Sequence, residues 1–256
     1  MFGSAIEIYR ATRKKHDLLF NVYFMRPIAA FVVGIFAKTP ITPNQVTLLN
    51  LALFVLATAL FVALPDFRGG LVAVLVLEAS YCLDCVDGML ARHKKIASKE
   101  GHLFDFFTDE IKAVLLSAAL PIRFWRTGAL GLDGTEWPAG TPGFLFAATA
   151  GAIVLASATS LTNFVRRPEI SGRESQVEAH YETVANEKPK SLVGRVGALV
   201  TTFLRFLNHY PSHIWLFALL GRLDVMFWIY IAINFLYLGR GWLGIVLRFG
   251  RPPRAS

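Results

Sequence analysis

Cysteine is nearly missing: Cys82 and Cys85 are the only two in 256 residues. That excludes a disulfide framework and a four-ligand zinc site built from thiolates alone. Their C-x-x-C spacing resembles a redox pair, yet both lie in an apolar helical run with no thioredoxin-like strand beside them, so they read as small packing residues. Charge is scarce as well. Asp, Glu, Lys and Arg make up 17% of the chain, against roughly a quarter in soluble domains. Acidic residues are the fewer, 18 against 26 Lys and Arg. No internal repeat and no low-complexity tract is present, so a solenoid or a long disordered tail is not expected.

Apolar residues fill that space. They reach 54% of the chain with a mean hydropathy of +0.49, which is too apolar for a soluble domain of this length and indicates one membrane domain. The net charge of +8 is interleaved with the apolar runs rather than gathered on one soluble face. The matching counter-charge is therefore anionic lipid, not nucleic acid.

Apolar runs at Asn44 to Leu64, Gly69 to Leu83, Leu103 to Ile122, Gly143 to Val165, Phe206 to Gly221 and Val225 to Gly239 predict six transmembrane helices. Several fall short of the roughly 20 residues a helix needs to cross the hydrocarbon core, and need their flanks to do so. The expected fold is an all-α polytopic membrane protein, with an N-terminal segment over 1–40 and the membrane domain over 41–250. Basic residues alternate sharply. Arg10, Arg13, Lys14, Lys15, Arg26 and Lys38 precede the first span; Arg92, Lys94, Lys95 and Lys99 follow the second; Arg166, Arg167, Arg173, Lys188, Lys190 and Arg195 follow the fourth; Arg248, Arg251 and Arg254 end the chain. The opposite loops hold only Arg68, Arg123, Arg126 and Arg222. The positive-inside rule then places both termini in the cytoplasm.

The basic lead and the apolar run Pro27 to Ala37 superficially resemble a leader peptide. The lead is unusually long, and its mixed charged and aromatic residues suit amphipathic helices at the cytoplasmic interface. The Thr39 to Pro43 stretch breaks that pattern, with Pro43 placed to begin the first span. The outer Thr127 to Pro142 connection is rich in Gly and Pro. The inner polar segment from Arg166 to Arg195 is long enough to carry an interfacial helix or cover a site.

The chemistry lies between Asp84 and Asp109. Asp84, Asp87, Gly88 and Ala91 follow i, i+3, i+4, i+7 spacing, so two carboxylates and two small residues share one helical stripe. After a basic turn, Asp105 and Asp109 share a face at i, i+4. Two antiparallel helices joined by that turn can bring all four acids together near the cytoplasmic end of the bundle. Intramembrane carboxylates are costly and are a functional signal by default. Clustered acids in a low dielectric need cations, and oxygen-only ligand sets suit Mg²⁺, Mn²⁺ or Ca²⁺; paired ions of this kind clamp a diphosphate during displacement at phosphorus.

Written as a pattern, the stretch reads D-x2-D-G-x2-A-R-x8-G-x3-D-x3-D, from Asp84, Asp87, Gly88, Ala91, Arg92, Gly101, Asp105 and Asp109. It resembles the signature of the CDP-alcohol phosphotransferases at every fixed position, and the six-span reading agrees with that family's architecture from about Pro27 onward. The resemblance implies that Asp84, Asp87 and Asp105 ligate two Mg²⁺ or Mn²⁺ ions, and that Asp109 completes the site and serves as general base. It implies that Gly88 and Ala91 admit the cytidine nucleotide, that Arg92 holds a phosphate and that Gly101 allows close packing. The family's Pro-Asn element with a following Thr corresponds to Pro43, Asn44 and Thr47, which are expected at the nucleotide or at the helix N-terminus. A homodimer is also implied.

The expected reaction moves a phosphatidyl group from a CDP-linked donor, CDP-diacylglycerol first, to a small polar alcohol or its phosphate, releasing CMP. Transfer of a polar head from CDP-choline, CDP-ethanolamine or CDP-inositol is the alternative within the class. A six-span cation transporter is the alternative outside it, though it leaves Gly88, Ala91, Arg92 and Gly101 unaccounted for. Arg166, Arg167 and Arg173 follow from topology alone, and the sharper expectation for them is a phosphate pocket for the acceptor. Glu78 and Lys112 are placed for an intramembrane ion pair of structural role. His209 and His213 share an i, i+4 spacing, but Pro211 between them points to packing rather than metal binding.

Overall fold

The computed structural model describes residues 2–12, 17–166, 200 and 202–249. The described chain is an all-α membrane protein with one small hairpin. Helix α1 covers Phe2–Thr12 and a short π-helix covers Asn21–Met25. It continues directly into α2, Arg26–Phe36. Then come α3 (Pro43–Ala63), α4 (Phe67–His93) and α5 (Lys99–Thr127). Strands β1 (Ala129–Leu130) and β2 (Glu136–Trp137) pair antiparallel, and α6 (Pro142–Arg166), α7 (Ile214–Leu219) and α8 (Leu223–Phe249) complete the elements.

Helix α3 starts where the sequence places it. Thr42 is the N-cap, its side chain accepts from Gln45 N–H and the Gln45 side chain accepts from Thr42 N–H, with Pro43 in the first turn. Helix α4 is capped by Asp66, and α5 by Ser98, which accepts from the Gly101 amide at 3.0 Å. The α4–α5 turn includes Lys95 at φ 57°. It is tied down by Lys94, whose Nζ donates to Thr39 O at 2.9 Å and Ile41 O at 2.8 Å. Those carbonyls lie in the Pro-rich break before α3, so one lysine joins the turn beside the acids to the start of the first long helix.

Four helices are long and apolar enough to cross a membrane: Pro43–Ala63, Phe67–His93, Pro142–Val165 and Leu223–Leu247. Two of the expected spans differ from this. Helix α5 has the length, but it carries Asp105, Asp109, Glu110, Lys112, Arg123 and Arg126. The expected run Phe206 to Gly221 is broken: residues 202–208 are helical, a 3₁₀ turn spans Tyr210–Ser212, and α7 has six residues. Pro211 lies inside the break, where a helix interior would lose a hydrogen bond and clash with the preceding turn.

The core forms two clusters. One joins Phe54, Phe61, Leu77, Leu116, Phe124, Phe144, Ile214 and Phe227 across α3 to α8. The other packs Ala29, Ala30 and Val33 of α2 against Val86, Met89 and Leu90 of α4. Free Cys85 belongs to the second cluster, which bears out its reading as a packing residue. At the end of the bundle remote from the α4–α5 turn, Arg123 donates to Leu64 O at 2.9 Å and Asp66 O at 2.6 Å, while Arg126 donates to Val62 O and Ala63 O. Val62, Ala63 and Leu64 are at the end of α3, whose last carbonyls have no partners within the helix.

Candidate active site

Helices α4 and α5 bring Asp84, Asp105 and Asp109 together, each offering a carboxylate oxygen within 4.8 Å of the others. Asp84 is partly buried, whereas the Asp109 side chain is 48% exposed and can meet a substrate. Three carboxylates with oxygen donors at that separation fit a hard divalent cation.

Asp87 lies one turn along α4 from Asp84 but outside that tight group. It is 4% exposed and its Oδ2 accepts from Thr47 Oγ1 of α3 at 2.7 Å. Thr47 thus reaches the acidic stripe directly. Asn44, near the start of α3, comes close to Gly101: a Cβ on Gly101 would sit 3.3 Å from Asn44 Oδ1 and 3.3 Å from Ser98 Oγ. The missing side chain is what lets the first turns of α3 and α5 approach. Gly88 lies beneath the Arg92 guanidinium, 3.5 Å from where its Cβ would be, and Ala91 is half-buried on the same helix. Arg92 also reaches back to the N-terminal segment, with Nε donating to Thr12 O at 3.2 Å. Of the expected nucleotide residues, Thr47 thus meets Asp87 of α4 and Asn44 lies against Gly101 of α5, whereas Arg92 is turned toward α1. Arg166 ends α6, and Asn163 in that last turn donates to Glu110 of α5 at 3.2 Å, which brings the last turn of α6 against α5. Arg167 and Arg173 lie outside the described residues.

The expected Glu78–Lys112 pair does not form. Lys112 is 4% exposed and its Nζ lies 2.6 Å from Asp84 Oδ1 and 2.6 Å from Asp109 Oδ1. Both Glu78 oxygens are buried with no hydrogen-bond partner among the described residues. Lys112 is held at i+3 from Asp109 on its own helix and turned toward α4, so the nearer, doubled charge wins. His209 and His213 do not converge on a metal: His209 bonds Tyr81 Oη at 2.8 Å and Ser212 Oγ at 2.6 Å, and His213 Nε2 lies 3.0 Å from Leu207 O.

Two further residues orient the site. Asn50 donates from Nδ2 to Asp84 Oδ1 at 2.9 Å, and Ser80 donates to Asn50 Oδ1 at 2.6 Å. The Ser80 bond fixes the Asn50 amide with its nitrogen toward Asp84. Asn50 and Ser80 are fully buried, so an unmade bond here would cost more than the bond itself contributes. The sequence carries their signal as spacing: Asn50 is i+3 from Thr47 on α3, and Ser80 is i−4 from Asp84 on α4.

Comparison with curated proteins returned no match. The family profile described as CDP-alcohol phosphatidyltransferase matches residues 40–173, the stretch that contains α3, α4, α5 and every described site residue above. That family's chemistry moves a substituted phosphoryl group out of a CDP-alcohol, which makes the chain an enzyme and answers the transporter alternative. Spanning more than half of the chain and centred on the aspartate cluster, the match shows that this protein belongs to the CDP-alcohol phosphatidyltransferase family.

Proposed function

We propose that the protein transfers a phosphatidyl group from CDP-diacylglycerol to a small polar alcohol or alcohol phosphate, releasing CMP and forming a phospholipid. The observation that carries this reading is the convergence of Asp84, Asp105 and Asp109 within 4.8 Å, at the end of α4 and α5 where the chain also gathers Asn44, Thr47 and Gly101. Asp84, Asp105 and Asp109, with Asp87 beside them, would hold two divalent ions, Mg²⁺ or Mn²⁺. Bound there, the ions would supply charge neutralisation for the donor diphosphate.

The remaining roles fall to the chain. The exposed Asp109 takes the proton of the acceptor hydroxyl. The acceptor oxygen then forms a bond to the phosphorus distal to cytidine, the bond from that phosphorus to the bridging oxygen breaks, and the electron pair leaves with CMP. Gly88 and Ala91 leave space along α4 for the nucleotide. Arg92 supports a phosphate, and Arg166, Arg167 and Arg173 serve a phosphate on the acceptor.

The same reading takes α5 and the broken 202–219 segment as crossing with the four apolar helices, giving six spans, with α1 and the π-helix lying at the interface. The site end carries Arg92, Lys94, Lys95 and Lys99, and the outer arginines Arg123 and Arg126 are engaged by α3 carbonyls. Both features support a cytoplasmic site and cytoplasmic termini. A homodimer completes the proposal.

The test is CMP release by purified protein with Mg²⁺ or Mn²⁺ and CDP-diacylglycerol, against glycerol 3-phosphate, serine, inositol, inositol 1-phosphate or no acceptor. Release that depends on one acceptor supports the reading and names the product. Release from CDP-choline, CDP-ethanolamine or CDP-inositol, with none from CDP-diacylglycerol, would reverse the donor assignment.

A further inference from the structure

Lys112 has no counterpart among the roles assigned above, yet it is the cation most deeply set in the site. It is 4% exposed, and its Nζ is 2.6 Å from one oxygen of Asp84 and 2.6 Å from one of Asp109. Asp84 Oδ1 accepts from Asn50 as well, at 2.9 Å. Two of the three carboxylates that converge as a metal site are thus already engaged by a full positive charge. We infer that Lys112 is a built-in cation of the aspartate site, sharing Asp84 and Asp109 with the divalent ion and weakening that ion's hold. The inference rests on the metal-dependent reading above.

Chemistry favours a shared role over a simple brace. An ammonium is a compact point charge on a flexible stem and can leave one carboxylate while keeping the other. An arginine fork would fix both. Carboxylates this close repel when bare, and a resident ammonium keeps Asp84 and Asp109 ordered between metal-loading events. The cost is competition for the same two carboxylates, so Lys112 acts as a positioning residue that sets metal affinity. A purely structural brace makes the opposite prediction: without it the acids would splay and metal would bind less tightly.

The direction of change separates the two. Mn²⁺ binding to the full-length, nucleotide-free protein in detergent can be titrated by electron paramagnetic resonance for the wild type, Lys112→Met, Lys112→Arg and Asp84→Asn. Removing one charge at contact distance should tighten Mn²⁺ binding by at least about tenfold in Lys112→Met. Lys112→Arg, whose fork would hold both carboxylates, should bind Mn²⁺ less tightly than the wild type, and Asp84→Asn should bind less tightly as well. Equal or weaker binding in Lys112→Met, with clear binding to the wild type, overturns the inference and leaves the metal reading standing. No Mn²⁺ binding to either protein overturns both.

Lys112→Met also leaves two carboxylates without their partner and can lose stability. Its thermal midpoint measured with and without Mn²⁺ covers that case: the rise on adding Mn²⁺ should exceed the wild-type rise. A variant that no concentration of Mn²⁺ returns to a folded state contradicts the inference.

Discussion

Thr47 Oγ1 of α3 donates to Asp87 Oδ2 of α4 at 2.7 Å, joining residues forty positions apart at a buried point of the acidic stripe. Removing the hydroxyl leaves a buried carboxylate without this donor. Thr47→Val should therefore cost about 1–3 kcal/mol, measured as a lower thermal midpoint in detergent, and Thr47→Ser should recover most of it. Equal midpoints for the three proteins would show that the bond contributes nothing.

Asp84 is oriented through Asn50, which is oriented in turn by Ser80. Partners that orient metal ligands typically matter by roughly 10–100-fold. Asn50→Leu should lower CMP release by that order, and Ser80→Ala by less, because the amide survives without its fixed rotamer. Wild-type rates in both variants would remove these residues from the site.

Glu78 carries a buried carboxylate with no hydrogen-bond partner among the described residues. A residue of similar length without the charge avoids that desolvation, so Glu78→Met should raise stability by about 1–3 kcal/mol while CMP release holds at the wild-type rate. A large loss of activity would give Glu78 a catalytic part that its surroundings do not show.

The β1–β2 hairpin gives a separate steric prediction. A Cβ on Gly131 would run into the Trp137 indole, and that ring is set against Phe144 at 5.3 Å and Trp228 at 6.5 Å between centroids. It cannot step aside cheaply, so Gly131→Ala should destabilise the fold by about 1–3 kcal/mol. Thermal melts of Gly131→Ala beside Trp137→Ala would check this, since an unchanged Gly131→Ala midpoint would mean that the indole moves freely.

The acidic stripe was legible because helical period is local: Asp84, Asp87, Gly88 and Ala91 needed nothing but their spacing, and Asp105 with Asp109 likewise. The start of α3 was legible from Pro43 after the Thr39 to Pro43 break, although the Thr42–Gln45 capping box was seen only in the structure. Helix ends were less so. A hydropathy reading stops the second span at Leu83, where charges begin, but backbone hydrogen bonds continue and α4 runs on to His93. Partner choice was not legible at all. Whether Lys112 meets Glu78 or Asp84 depends on how α5 is rotated against α4, and that is decided by packing among residues far apart in the chain. The break at Pro211 shows the same limit, since an apolar window over 206–221 cannot register a turn within it.

In the proposed reaction Asp109 takes the acceptor's proton within a metal-holding aspartate site. The direct test is acceptor-dependent CMP release by Asp109→Asn beside the wild type, with Mn²⁺ binding measured on the same samples. Asp109→Asn should still bind Mn²⁺ through Asp84 and Asp105 while CMP release falls by at least about 100-fold. CMP release near the wild-type rate from a folded, metal-binding Asp109→Asn protein would contradict it.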